Sequence, residues 1–268
     1  MIVGLTGHDK TEAGDMKLLI CGKGGSGKST VTALLALAMQ KRGRRILVVD
    51  TDESNIGLYR MMGLNRPRTL MESLGGKKGF REKTAAAGAS LGGRPKLFPD
   101  KMAVDSLPDS CIAGKNGLQV ISLGKIHHFG EGCACPMGSL FRMLFASLDP
   151  ENEDLVLIDT TAGVEHFGRR LDGMCDQILC VVDPSYESIM MGRKVAGLAG
   201  EIDLPVWTVL NKVMPSLETE LEHGLEGLDI IGCLPHNDTV FLNNLKGTAL
   251  DAGLPQLEPV CEAVESRL

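Results

Sequence analysis

Compact runs of consecutive apolar residues alternate along this chain with stretches in which apolar positions recur every three or four residues. The runs at 18–21 (LLIC), 46–50 (ILVVD), 118–124 (LQVISLG), 154–159 (DLVLID), 177–183 (QILCVVD), 206–210 (VWTVL) and 228–233 (LDIIGC) are short and rich in branched residues. That is the signature of strands covered on both faces. Segments 31–39, 186–199 and 258–268, with another from about Gly138, carry the helical spacing instead. Strand, helix and strand in this rhythm predict βαβ units, hence a doubly wound α/β fold: a mostly parallel sheet with helices on both faces. Residues 16–268 read as a single domain. Within it, residues 65–117 read as an irregular insertion rich in Gly, Lys and Pro, with a helical stretch only near 70–74. Residues 1–15 carry no motif and read as an N-terminal extension that need not be ordered.

The first apolar run delivers GKGGSGKST, in which Gly22, Gly27, Lys28 and Ser29 satisfy G-x-x-x-x-G-K-[ST], the P-loop pattern. Each part has a physical reason. Glycines let successive backbone N–H groups converge on phosphate oxygens, the helix that follows adds its positive dipole end, Lys28 supplies a charge between the β- and γ-phosphates, and Ser29 offers a hydroxyl to Mg²⁺. Gly22, Lys23, Gly24, Gly25, Ser26, Gly27, Lys28, Ser29 and Thr30 are therefore the predicted phosphate cradle. Acids at the carboxyl ends of neighbouring strands are where Mg²⁺ or a water would be handled. Asp50 and Asp159 end such strands and are the predicted Mg²⁺-associated acids. Asp52 follows in DTDES, with capping of the next helix as its alternative role.

Composition narrows the partners. With 28 Lys and Arg against 34 Asp and Glu, a net charge of −6 and 43% hydrophobic residues, the chain has no basic excess to attract nucleic acid or an anionic membrane. It contains no apolar run long enough to span a bilayer and no signal-like start, so a cytoplasmic protein without stable membrane association is expected. In that compartment its 8 cysteines are reduced thiols, most of them in apolar surroundings that suit core residues. Cys133 and Cys135 differ. They form a C-x-C pair in a Gly-rich approach to a helix start, where thiolates are favoured. One such pair cannot complete a four-ligand site alone, but a symmetric dimer would bring two pairs together. Two adjacent structural cysteines are the alternative.

Lys23, directly after the first glycine, gives the GKGG-x-GK-[ST] form known as the deviant Walker A motif, and the chain resembles the dimeric P-loop ATPases that include the nitrogenase iron protein, septum-site and partition ATPases. The resemblance narrows with RTLMESLGGKKG at 68–79, GKIHHFGEGCACP at 124–136 and TTAGVEHFGR at 160–169. Together with Lys23 these are similar to the accessory ATPases of carbon monoxide dehydrogenase (CooC type), implicated in nickel insertion. The resemblance implies ATP/ADP and Mg²⁺ as ligands and a nucleotide-dependent homodimer with Lys23 acting on the partner's nucleotide. It further implies that Asp52 orients the attacking water, although Glu53 replaces the family's proline. Cys133 and Cys135 of both subunits would form one interface site for Ni²⁺ or Zn²⁺, and nickel carbon monoxide dehydrogenase would be the client. Asn211 and Lys212 match the base-reading position, Met214 stands where guanine-specific relatives carry Asp, and Pro235 matches the adenine-flanking turn, so ATP is expected over GTP. An iron–sulfur scaffold and a MinD/ParA-like positioning ATPase are the alternatives within the same fold.

Overall fold

A computed structural model describes residues 16–91, 96–125, 135–149, 155–162, 174–217, 220–221 and 224–268. In chain order the elements are β1 (Met16–Gly22), α1 (Lys28–Lys41), β2 (Ile46–Asp50), α2 (Leu58–Met61), α3 (Leu70–Ser73), α4 (Gly76–Leu91), β3 (Ile112–Lys115), β4 (Leu118–Ser122) and α5 (Cys135–Phe145). There follow β5 (Leu155–Asp159), β6 (Gln177–Val182), α6 (Tyr186–Gly200), β7 (Val206–Val213), β8 (Asp229–Pro235), α7 (Asp238–Lys246) and α8 (Glu258–Glu265).

The strands form one 8-stranded sheet in the order β3-β4-β2-β5-β1-β6-β7-β8. Every pairing is parallel except the β3–β4 edge. Side chains alternate between faces, and both faces are apolar, which is why the strands read as unbroken hydrophobic runs. Leu19 and Cys21 of β1, Leu47 and Val49 of β2, and Val156 and Ile158 of β5 enter one core with α3, α4, α5 and α6. Leu18 and Ile20, Ile46 and Val48, and Leu155 and Leu157 enter the other, under α1, α2 and α8. The chain leaves β1 toward β2 on one side and later crosses to β6 on the other. The carboxyl end of β1 therefore lies where the winding reverses, the place at which an open α/β sheet presents a crevice.

The structure departs from the sequence expectation in several places. Much of 65–117 is regular: α4 runs from Gly76 to Leu91, short helical turns at Val104–Ser106 and Asp109–Cys111 precede β3, and β3 pairs antiparallel with β4. Gly75 and Gly76 take positive φ where α4 begins, and all but Thr84 in the run from Arg81 to Ala87 are strong helix formers, while Phe80 plugs into the core. The glycines and lysines that open α4 hide this helix from a hydrophobic pattern. Helix α5 starts at Cys135 rather than near Gly138, with Pro136 in its first turn, where its missing N–H costs nothing. Strand β7 runs on to Val213, so Asn211 and Lys212 lie within it at a break in register, Lys212 having φ 61°. Helix α7 buries none of its residues fully, and its Phe241, Leu242 and Leu245 are exposed. Its ends are fixed by the Asn237 side chain accepting from Val240 N–H at 3.0 Å and by Gly247 at φ 65°.

Helix α8 is seated on β8 through a missing side chain. A Cβ on Gly232 would come within 2.5 Å of Val260 Cγ2, and Val260 is fully buried. Gly232→Ala is expected to destabilise the fold by about 1–3 kcal/mol through overpacking. Adding Val260→Ala should recover part of that loss, because the new methyl then occupies the space given up. Denaturant melts of both variants check this; additive losses would show that the two residues do not share this contact.

Candidate functional site

The P-loop closes over the carboxyl end of β1 and runs into α1. Gly22, Gly25 and Gly27 have φ of 141°, 83° and 95°. At Gly27 the need for glycine is double, since a Cβ there would also lie 2.3 Å from Asn211 Nδ2. Ser26 N–H donates to the Lys23 carbonyl at 3.2 Å, and Lys28 Nζ donates to the same carbonyl at 3.1 Å. Lys28 is buried, and Ser26 Oγ is buried without a hydrogen-bond partner among the described residues. An enclosed ammonium beside converging peptide groups is a built-in anion cradle.

Opposite it stand the acids. The register of β2, β5 and β1 puts Asp50 beside Asp159 and Asp159 beside Ile20. Asp159 is fully buried; its Oδ2 accepts from Ser29 Oγ at 2.7 Å and its Oδ1 from Thr32 Oγ1 at 3.1 Å. Burial, reinforced by the charge of Asp50, pushes the Asp159 carboxyl up to about 7 against the pull of those two hydroxyls. Burial likewise pushes Asp50 up to about 6, although Lys125 Nζ lies 2.6 Å from Asp50 Oδ2. Asp52 is turned into its own loop: Oδ1 accepts from Ser54 N–H at 2.8 Å, Ser54 Oγ at 2.6 Å and Asn55 N–H at 3.3 Å. These bonds shape a local turn and cap no helix: the next helix, α2, has Gly57 at its N-cap without a side-chain bond, so the capping alternative does not hold. Ser29, Asp159 and Asp50 offer only oxygen atoms, in a corner short of positive charge, and that donor set suits Mg²⁺. Ser29 and Asp159 would hold the ion and Asp50 would add charge beside it.

The remaining predicted residues are placed as follows. Lys23 Nζ donates to Ser185 Oγ at 3.2 Å and reaches Glu187 at 3.5 Å, at the start of α6 in the same chain. Asn211 Nδ2 donates to the Ser26 carbonyl at 2.8 Å and Lys212 Nζ to the Gly25 carbonyl at 2.6 Å, so both brace the P-loop. A cavity of about 170 Å³ adjoins them, lined among others by Gly27, Thr30, Asn211, Pro235, Phe241 and Asn244. It lies on the side of the P-loop where a base and ribose would be expected, with Pro235 in its wall. Ala162, after β5, is within 3.4 Å of a Cβ built on Gly24, while Thr160 Oγ1 donates to the Ile20 carbonyl at 2.7 Å. Cys133 lies outside the described residues, and Cys135 enters as the first residue of α5. Among the described residues no group of at least 3 His, Cys, Asp or Glu is arranged to hold a metal ion. The buried thiols behave as core: Cys175 and Cys261 are pushed up to about 12 and about 11 by burial.

Sequence reasoning missed Lys125, Thr32 and the α7 wall of the cavity. Thr32 lies one helical turn beyond Lys28 and could have been found by spacing from the P-loop lysine. Lys125 had no such signal, because its partner Asp50 is distant in the sequence and is brought near only by β2–β4 pairing.

Residues 18–248 match the CobQ/CobB/MinD/ParA nucleotide binding domain. The chain belongs to that family. It is a P-loop ATPase of the MinD/ParA fold. This CobQ/CobB/MinD/ParA-type ATPase is 38% identical over 247 residues to an uncharacterized ATP-binding protein of Methanocaldococcus jannaschii, covering 92% of this chain and 98% of the relative. It is 28% identical over 251 residues to the carbon monoxide dehydrogenase accessory protein CooC of Rhodospirillum rubrum, covering 92% of each. Among solved structures, the septum site-determining protein MinD of Pyrococcus horikoshii OT3 complexed with Mg-ADP aligns with TM-score 0.64 at 18% identity, over 94% of this chain and 96% of that one. No described helix of this family member is long and apolar enough to cross a membrane.

The raised acids give the ATPase a pH signature. Asp159 and Asp50 bind protons more tightly folded than unfolded, where 3.8 is the ordinary value, so their contribution to stability falls as pH rises from about 4 to about 7. Without Mg²⁺, Asp159→Asn should therefore gain in melting temperature relative to wild type as pH is raised across that window. A difference independent of pH would mean that Asp159 is not protonated there.

Proposed function

We propose that this ATPase is a nucleotide-switched metallochaperone that acts in the maturation of nickel-containing carbon monoxide dehydrogenase. The observation that carries the reading is the joint presence of Lys23 in the P-loop and of the Cys133-x-Cys135 pair in the sequence, in a chain that aligns with the Rhodospirillum rubrum CooC protein along 92% of both lengths. Lys28, Ser29 and the backbone of the P-loop hold Mg-ATP, and Asp52 orients the attacking water with the carboxylate oxygen its loop leaves unbonded. Asn211, Pro235 and the α7 wall receive the adenosine. Two subunits meet across the nucleotides, and Lys23 leaves Ser185 and Glu187 to neutralise charge on the partner's phosphates. Cys133 and Cys135 of both subunits then hold one Ni²⁺ as cargo, with Zn²⁺ as a competitor that thiolate ligands also accept. Hydrolysis resets the dimer, so the metal is bound in one nucleotide state and released in the other.

A positioning ATPase of the MinD type shares the fold but gives the C-x-C pair no task. In addition, the apolar side of α8, formed by Val260, Cys261 and Val264, is buried against the sheet. Anaerobic gel filtration with metal analysis, with Ni²⁺ or Zn²⁺ and with ADP or a nonhydrolysable ATP analogue, tests the proposal. One metal per dimer is expected, lost in the Cys133→Ala/Cys135→Ala variant while nucleotide affinity is retained. A metal-free wild-type dimer that forms with nucleotide alone would overturn the metallochaperone reading and leave a partner-regulating ATPase.

A further inference from the structure

Lys125 lies in the GKI stretch at 124–126, where sequence reasoning assigned it no role of its own, and it makes a well-buried ion pair at the site. It stands just past the end of β4, and its ammonium donates to Asp50 Oδ2 at 2.6 Å, with the two side chains 7% and 4% exposed. The same ammonium donates to the main-chain carbonyl of Asp52. On the other side of that residue, Asp52 N–H donates to Asp50 Oδ1 at 3.2 Å. Asp50 and Lys125 therefore grip the main chain of Asp52 by both its N–H and its C=O.

A buried ion pair is poor evidence for stability, because desolvation offsets most of the attraction and apolar replacements can be as stable. What such a pair supplies is direction, since each charge is satisfied only in one arrangement. Here the arrangement fixes one residue. The cations nearby are engaged elsewhere: Arg60 and Arg66 line the cavity that Asp50 and Lys125 share, but Arg60 bonds Tyr59 and Arg66 bonds Glu72. With its peptide clamped and Oδ1 held by Ser54 and Asn55, Asp52 has Oδ2 without a hydrogen-bond partner among the described residues.

We infer that Lys125 is a positioning residue for ATP hydrolysis: paired with Asp50, it holds the main chain of Asp52 so that the Asp52 carboxylate meets the attacking water in a fixed place. The inference rests on the reading of Asp52 as the residue that orients that water. The Lys125 ammonium is spent on Asp50 and on the Asp52 carbonyl. It acts through the Asp52 peptide.

The test uses the full chain, as wild type and as Lys125→Met, Lys125→Arg, Asp52→Asn and Lys125→Met/Asp52→Asn. Lys125→Met should lower kcat for Mg-ATP by about tenfold or more, while KM and the affinity for a nonhydrolysable analogue stay within about threefold. Hydrogen exchange at the Ser54 and Asn55 amides should quicken, and Lys125→Arg should restore a substantial part of kcat. In the Asp52→Asn background, Lys125→Met should lower kcat no further. Unchanged kcat, an equal fall in both backgrounds, or analogue affinity falling in step with kcat would overturn the inference. If Asp52→Asn keeps wild-type kcat, the reading of Asp52 fails by itself. The exchange rates then decide separately: quickened exchange keeps Lys125 as the anchor of this segment, and unaltered exchange removes it. Should Lys125→Met not fold, Lys125→Gln, which keeps a donor without the charge, is judged by the same criteria.

Discussion

The site depends on one constraint: parallel pairing of β2, β5 and β1 brings the acids that end β2 and β5 to the same level, in a place without water. Asp50 and Asp159 are neighbours in register, and both are almost wholly buried. Burial disfavours the charged form of each and is the main cause of the upward shift of both carboxyls, with the charge of Asp50 adding to the shift at Asp159. The rest of the pocket answers it. Ser29 and Thr32 turn hydroxyls onto Asp159, Lys125 lies on Asp50, and Lys28 is held close by on the carbonyl of Lys23. The charge is only partly balanced, and a site left deficient in positive charge attracts a divalent ion. The suitability of this corner for Mg²⁺ is in this sense a consequence of sheet register.

The P-loop imposes a matching constraint on the opposite wall. Gly27 can take φ 95° and let the Asn211 amide approach because it has no Cβ. That approach ties β7 to the loop through the Ser26 carbonyl, and Lys212, itself at positive φ, adds the bond to Gly25. The break in register between β7 and β8 at this point is what aims successive residues of one strand at the same loop. The P-loop and the neighbouring cavity are thus one connected structure, and Asn244 extends it to α7 by donating to Thr30 Oγ1 at 3.2 Å.

Local signals made the central sheet and the P-loop legible. A strand covered on both faces has to be apolar throughout, and a phosphate loop has to carry glycine, lysine and hydroxyl at fixed spacing, so 18–29, 46–50 and 155–159 could be read directly. Helix α4 was not legible because Gly76 and Gly79 and its charged first turns resemble loop composition, while its burial hangs on one residue, Phe80. Edge strand β3 is short and half exposed, which leaves little hydrophobic pattern. The roles of Asn211 and Lys125 were hidden for another reason. Both are defined by partners that only the finished sheet brings near, and no spacing rule along the chain encodes such a meeting. Asp52 shows a further limit: a carboxylate that closes its own turn and one that acts on a water use the same atoms, and the sequence pattern is the same for both.

The two lysines of the P-loop are held in opposite ways, and the difference bears on how a dimer could work. Lys28 is buried and faces a carbonyl inside the cradle, where leaving would strand an ammonium without water. Lys23 sits on the rim with its side chain 35% exposed, and its ionic partner Glu187 is 72% exposed. Pairs so open to solvent are weakly held, since water competes for both ends. The neighbouring Tyr186 is largely exposed and Met190 partly so. A second subunit pressed on this rim would cover those side chains and dry the surroundings of Lys23. Removing water strengthens whatever charge the ammonium then faces, and the phosphates of a nucleotide carry more charge than one carboxylate does. A lysine that must change partners is best kept where its first partner holds it loosely, and the start of α6 provides that.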